Sequence, residues 1–184
     1  EDLAVGSPGE MLGASQSRAG MVNLFRGHSG GLSVSGSSLK QATTYLPWSI
    51  NDYCAESFDQ LGASLTAGDL NGDGRDELVV GVPGETLGSI TNKTRAGAIQ
   101  VYSFTHSSSF NVSSSRLYTQ DSPSIQGVAE STDGFGEVLI SGDLNSDGYD
   151  DIVIGMPGES IGSVASAGAV QVIYGRSDAT STLF

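Results

Sequence analysis

The chain aligns with itself. Residues 55–89, AESFDQLGASLTAGDLNGDGRDELVVGVPGETLGS, match residues 129–163, AESTDGFGEVLISGDLNSDGYDDIVIGMPGESIGS, at an offset of 74 residues without a gap. Further on, RAGAIQVYSF (95–104) matches SAGAVQVIYG (166–175), with the segment between three residues shorter. A third copy starts mid-unit: residues 1–25 correspond to DELVVGVPGETLGSITNKTRAGAIQVY, and only Asp2 stands at the place of Glu77 and Asp151. A tandem repeat of this kind limits the fold to modules that each bury a face against the next one.

Within the unit, glycines separate short β-branched runs. With 26 glycines and only 16% charged residues the chain has little material for long helices. In the middle copy, strands are expected near Leu61–Ala67, Glu77–Val82, Ala98–Phe104 and Arg116–Thr119. Pro83, which lacks a donor, and Gly84 end the second of these. Four short antiparallel strands in tandem imply an all-β chain of β-propeller blades. The Ser-rich stretches 29–38 and 107–115 recur at the same point of the unit and are expected to be outer hairpin connections.

Between the first two strands lies a string of carboxylates, GDLNGDGRDE, in which Asp69, Asn71 and Asp73 alternate around Gly72 and Gly74. That pattern is a loop wrapped round a hard cation. It is not an EF-hand: position twelve counted from Asp69 is Val80, and no helix follows. A lone Asp/Asn/Gly string is often a solvated turn. Its return at 143–151, at the same point of a matched unit, argues for a metal loop instead.

These elements together resemble FG-GAP repeats, the blades of the integrin alpha-chain propeller and of many secreted bacterial proteins. Phe135-Gly136 matches the FG element and Leu61-Gly62 departs from it conservatively. Gly81-Val82-Pro83, Gly155-Met156-Pro157 and Gly6-Ser7-Pro8 match the GAP element with its middle residue varied. The loops match D-x-[DN]-x-[DN]-G-x-x-D, and Glu77 is one methylene longer than the usual Asp. The resemblance implies part of a blade in 1–45, a complete blade in 46–119 and a third, incomplete one in 120–184. Complete propellers of the family have around seven blades, so the sequence looks like a section of a longer propeller or a protomer that completes one by association. Further blades, from the same parent chain or from other subunits, are the implied partners.

The expected donors in the middle loop are Asp69, Asn71, Asp73, the Arg75 carbonyl and Glu77. In the last loop they are Asp143, Asn145, Asp147, the Tyr149 carbonyl and Asp151. All are hard oxygens, which selects Ca2+ over zinc or copper, with magnesium less suited because it demands a tighter octahedron. Two structural calcium ions are therefore expected, each pinning the first strand of a blade to the second.

Other apparent chemistry dissolves on inspection. GESIG (158–162) fits a nucleophile elbow, yet its counterparts GETLG and GEMLG carry Thr86 and Met11 at the place of Ser160. GHSGG (27–31) leads into a stretch that is not helical, and His28 and His106 both fall in Ser-rich connections. Glu10, Glu85 and Glu159 recur in equivalent turns, where local hydrogen bonding is expected of them. Cys54 reads as a small packed hydrophobe. The sequons at Asn92 and Asn111 are near chance in a chain so rich in Ser and Thr.

The net charge of −13 argues against nucleic acid or an anionic membrane surface as partner. No run of about 18 apolar residues exists to span a bilayer. The leading expectation is a non-catalytic, calcium-stabilised scaffold for adhesion or recognition in a secreted or cell-surface protein, with a protein or glycan ligand. One alternative is a lectin, with Tyr45, Trp48 and Tyr53 stacking on a sugar rather than filling space between blades. The other is an accessory domain of a secreted hydrolase or phospholipase-like enzyme.

Overall fold

A computed structural model describes residues 2–14, 16–41, 55–88, 92–105 and 110–177, the side chains of 34–36 excepted. The described residues hold ten strands and no helix. They are β1 (Leu3–Ser7), β2 (Met21–His28), β3 (Gly31–Leu39), β4 (Leu65–Gly68), β5 (Glu77–Val82), β6 (Ala98–Phe104), β7 (Val112–Tyr118), β8 (Val138–Gly142), β9 (Asp151–Met156) and β10 (Ala169–Ile173). These form three antiparallel meanders, β1-β2-β3, β4-β5-β6-β7 and β8-β9-β10, one for each copy of the repeat. The chain is all-β and built of propeller blades.

The middle blade is buried on both faces. Val79, Ile99 and Val101 point into one core with Phe135, Leu139, Ile152, Ile154 and Met156 of the third blade. Leu78, Val80, Val82, Ala98 and Tyr102 point the other way, onto Val22, Leu24 and Leu39 of the first. Alternation with a period of two residues sends neighbouring side chains to opposite cores, so ELVVGV is buried at every position.

Blades are also joined through their backbones. Phe58, Gln60 and Leu61 donate to the carbonyls of Ser17, Arg18 and Ala19 at 2.9, 3.1 and 2.9 Å. Thr132, Gly134 and Phe135 repeat this to Thr94, Arg95 and Ala96 at 2.8, 3.1 and 3.0 Å. The approach is so close that a Cβ on Gly97 (φ +87°) would lie 2.4 Å from Phe135 N. Leu61-Gly62 and Phe135-Gly136 are thus the inter-blade seam.

Two expectations change. The first strand of the middle unit is β4, not Leu61–Ala67, because Phe58, Gln60 and Gly62 have positive φ and the chain there is committed to the seam. The Ser-rich stretches run into strands: most of 29–38 lies in Gly31–Leu39, and 112–115 opens Val112–Tyr118, so the fourth strand starts earlier than Arg116; these two are the outermost strands. An edge strand with one side open to water has no need of apolar residues, and Ser115 Oγ accepts from Gln100 Nε2 of the neighbouring strand at 2.7 Å. The β5 and β6 spans agree with expectation to the residue.

Candidate metal centre

Each loop bridges the end of a blade's first strand and the start of its second, so its first and ninth residues are set by the β4–β5 and β8–β9 pairings. Between them, side-chain oxygens fold the backbone inward. Asp69 Oδ1 accepts from Gly72 N and Asp73 N at 2.8 and 3.1 Å, and Oδ2 accepts from Gly74 N at 2.9 Å. Asn71 Oδ1 accepts from Asp73 N at 2.8 Å, and Asp73 Oδ1 from Arg75 N at 3.0 Å.

The second loop repeats the pattern. Asp143 accepts from Asp147 N and Gly148 N at 3.1 and 3.0 Å. Asn145 Oδ1 accepts from Asp147 N at 2.9 Å, and Asp147 Oδ1 from Tyr149 N at 3.0 Å. The sharp turn falls at Gly74 and Gly148, with φ of 84° and 90°.

The ninth residues are held differently from their neighbours. Glu77 and Asp151 are buried at 2% and 0% exposure, each with one oxygen on the N–H of its own loop's second residue. Glu77 Oε2 accepts from Leu70 N at 3.2 Å and Oε1 from Asn71 Nδ2 at 2.9 Å. Asp151 Oδ2 accepts from Leu144 N and Oδ1 from Gly175 N, both at 3.0 Å. Burial pushes the Glu77 carboxyl up to about 7, against the pull of the Leu70 N–H. Asp2, at the same place in the first blade, is exposed, but its Oδ1 accepts from Gly27 N at 2.9 Å as Asp151 Oδ1 does from Gly175 N.

Each loop therefore gathers positions one, three and five in one turn, while the ninth carboxylate is engaged with main chain. Arg75 also pairs with the exposed Asp73 at 3.0 Å. Among the described residues no three His, Cys, Asp or Glu side chains converge as a metal-holding group. The chemistry of the donors nonetheless fits a hard divalent cation: every one is oxygen, and the carboxylates retain lone pairs beyond the N–H bonds named above.

The FG-GAP repeat profile matches residues 61–102 and 135–173, each span containing one loop with its flanking strands. These are FG-GAP repeats.

Several known proteins align with this chain. Integrin alpha pat-2 of Caenorhabditis elegans is 32% identical over 131 residues, covering 66% of this chain and 10% of that protein. Integrin alpha-3 of Mus musculus is 32% identical over 131 residues, 63% of this chain and 11% of that protein. Phosphatidylinositol-glycan-specific phospholipase D of Mus musculus is 28% identical over 144 residues, 78% of this chain and 16% of that protein. The chain thus spans a small fraction of the length of the relatives it matches.

Other features of the FG-GAP unit take on structural roles. GESIG forms a turn closed by the Ile161–Val164 bridge, with no helix behind it, and GHSGG is the β2–β3 hairpin. His28 Nδ1 accepts from Gly30 N at 3.1 Å within that hairpin. The glutamates after Pro do more than bond locally. Glu85 Oε2 accepts from Gln41 Nε2 at 2.6 Å and Glu159 Oε2 from Gln120 Nε2 at 2.8 Å, each glutamine standing two residues past the outermost strand, β3 or β7, that precedes it in the chain. Gln–Glu separations of 44 and 39 residues hid this recurrence from an ungapped alignment. Sequon residues Asn92 and Asn111 are exposed. Tyr45, Trp48, Tyr53, Cys54 and His106 lie outside the described residues.

Proposed function

We propose that this chain is a calcium-stabilised section of an FG-GAP propeller that serves as a non-catalytic adhesion or recognition scaffold, displayed outside the cell or at its surface. The observation that carries the reading is the same Asx-turn geometry in two loops at equivalent places of two blades. The integrin alpha relatives support the adhesion role, and the blade units are taken as 1–45, 46–119 and 120–184.

Asp69, Asn71, Asp73, the Arg75 carbonyl and Glu77 would hold one ion. Asp143, Asn145, Asp147, the Tyr149 carbonyl and Asp151 would hold the other. Calcium, when bound, offsets the repulsion among the three carboxylates of each loop. The chain's own part is to fix the turn, through N–H bonds to positions one, three and five, and to fasten the first strand of each blade to the second. The role is structural, and the recognition surface lies elsewhere on the loops between strands. Thermal melts in EDTA and in excess calcium test the reading: chelation lowers the melting temperature, and identical melts would refute it.

A second reading has its own support. The alignment with phosphatidylinositol-glycan-specific phospholipase D covers 78% of this chain, within the range that the integrin alpha relatives reach. It would make the propeller an accessory domain beside a catalytic one. Finding a hydrolase domain in the intact parent chain would favour it over the adhesion scaffold.

A further inference from the structure

The two cation loops are hydrogen-bonded to each other through Asp150, which is a metal donor in neither. Asp150 lies between Tyr149 and Asp151 of the second loop and grips the backbone of Asp69, the first position of the other loop. Asp69 N donates to Asp150 Oδ2 at 3.0 Å, and Asp150 N donates to Asp69 O at 3.0 Å. Beside it, Arg176 N donates to Leu70 O at 3.0 Å while Gly175 N donates to Asp151 Oδ1 at 3.0 Å. The segment leaving β10 therefore holds both loops as well.

The contact demands small residues on the first loop. A Cβ on Gly68 would lie 2.6 Å from Asp150 Oδ2, and one on Gly72 would lie 2.4 Å from Cε1 of the Tyr149 ring. At Gly142, the equivalent of Gly68 in the third blade, nothing stands within 4 Å. The middle loop is shaped to receive its neighbour.

We propose that the two loops take up calcium cooperatively, with Asp150 as the positioning residue that couples them. The inference rests on the calcium reading above. Ordering residues 149–151 fixes Asp150, and a fixed Asp150 holds Asp69 at both its N–H and its carbonyl. The conformational entropy of the shared segment is then lost once for two ions, which is positive cooperativity without a large movement. Reciprocity requires the first loop to favour binding at the second by the same factor. A contact that only joined blades would leave the two sites independent.

Two amides read the loops separately: Gly74 N–H on Asp69 Oδ2 at 2.9 Å and Gly148 N–H on Asp143 Oδ2 at 3.0 Å. Titrating the full chain with calcium chloride and following both by 15N-edited NMR should give sigmoidal curves with one midpoint. Asp150→Ala should split them into two hyperbolic curves, with the Gly74 midpoint raised about fivefold or more. Hyperbolic, independent curves in the unaltered chain overturn the coupling and leave the calcium reading intact. Cooperativity surviving in Asp150→Ala removes Asp150 from the role. No response of either amide overturns the calcium reading itself and the coupling with it. If Asp150→Ala fails to fold, Asp143→Ala decides: it alters an exposed side chain of the second loop, and an unchanged Gly74 midpoint overturns the coupling.

Discussion

Asp59 and Asp133 occupy equivalent positions before the FG element, and each is buried with one oxygen on a nearby amide, that of Glu56 or Glu130. The other oxygen, Oδ1, has no hydrogen-bond partner among the described residues in either case. Burial raises the Asp59 carboxyl from 3.8 to about 6, and raises Asp133 in the same direction. Between pH 3.8 and about 6 the folded chain keeps a proton on Asp59 that the unfolded chain has released. Stability from this group is therefore greatest below that window and is lost as pH rises through it, by at most about 3 kcal/mol. Asp59→Asn, compared with the parent by urea denaturation at pH 4 and pH 7, should remove that part of the slope. Gly97 sets a second test at this scale. Its φ of +87° and a Cβ that would fall 2.4 Å from Phe135 N leave no room for a side chain. Gly97→Ala should cost on the order of 2–4 kcal/mol in the same assay. Gly168 stands at the equivalent place with φ +77°, but there the nearest atom to a Cβ is 3.6 Å away, so Gly168→Ala should cost less.

At the scale of single strands, β5 and β9 are one sequence pattern in two surroundings. ELVVGV is buried throughout, whereas in DIVIGM Val153 and Gly155 are only half-buried. Val79 faces the third blade's core at 0% exposure; Val153, its counterpart, has no described blade beyond it. Val79→Ala should cost about 1–3 kcal/mol and Val153→Ala under about 1 kcal/mol, read from denaturation midpoints. The spans of β5 and β6 were legible because short runs rich in β-branched and aromatic residues have few alternatives once Pro83-Gly84 ends the one and Gly97 opens the other. β3 and the serine-rich start of β7, 112–115, were misread as connections because serine says little about an edge strand, whose outward side chains face water in either conformation. The cation loops were legible as loops, since spacing alone places Asp, Asn and Gly. The rotation of Glu77 toward Leu70 N and Asn71 Nδ2 was not, because it depends on what the β4–β5 pairing leaves within reach.

For the molecule as a whole, two shared cores and two backbone seams make each blade depend on the next. Anything that binds the loops of the folded state adds stability by mass action, about 2.7 kcal/mol per site at a hundredfold excess over Kd. The melting temperature should accordingly climb with calcium concentration and fall in EDTA, as followed by circular dichroism. Integrin-like FG-GAP blades, a strand order within each sheet and an oxygen-only loop were all written in the residues, because a local run of side chains suffices to specify each. Which of two equivalent residues is buried, which glycine is indispensable, which glutamate receives a glutamine and that Asp150 reaches Asp69 were decided only by the stacking of blades. Those contacts join residues tens of positions apart, and a repeat writes nearly the same letters in every unit while giving each unit different neighbours.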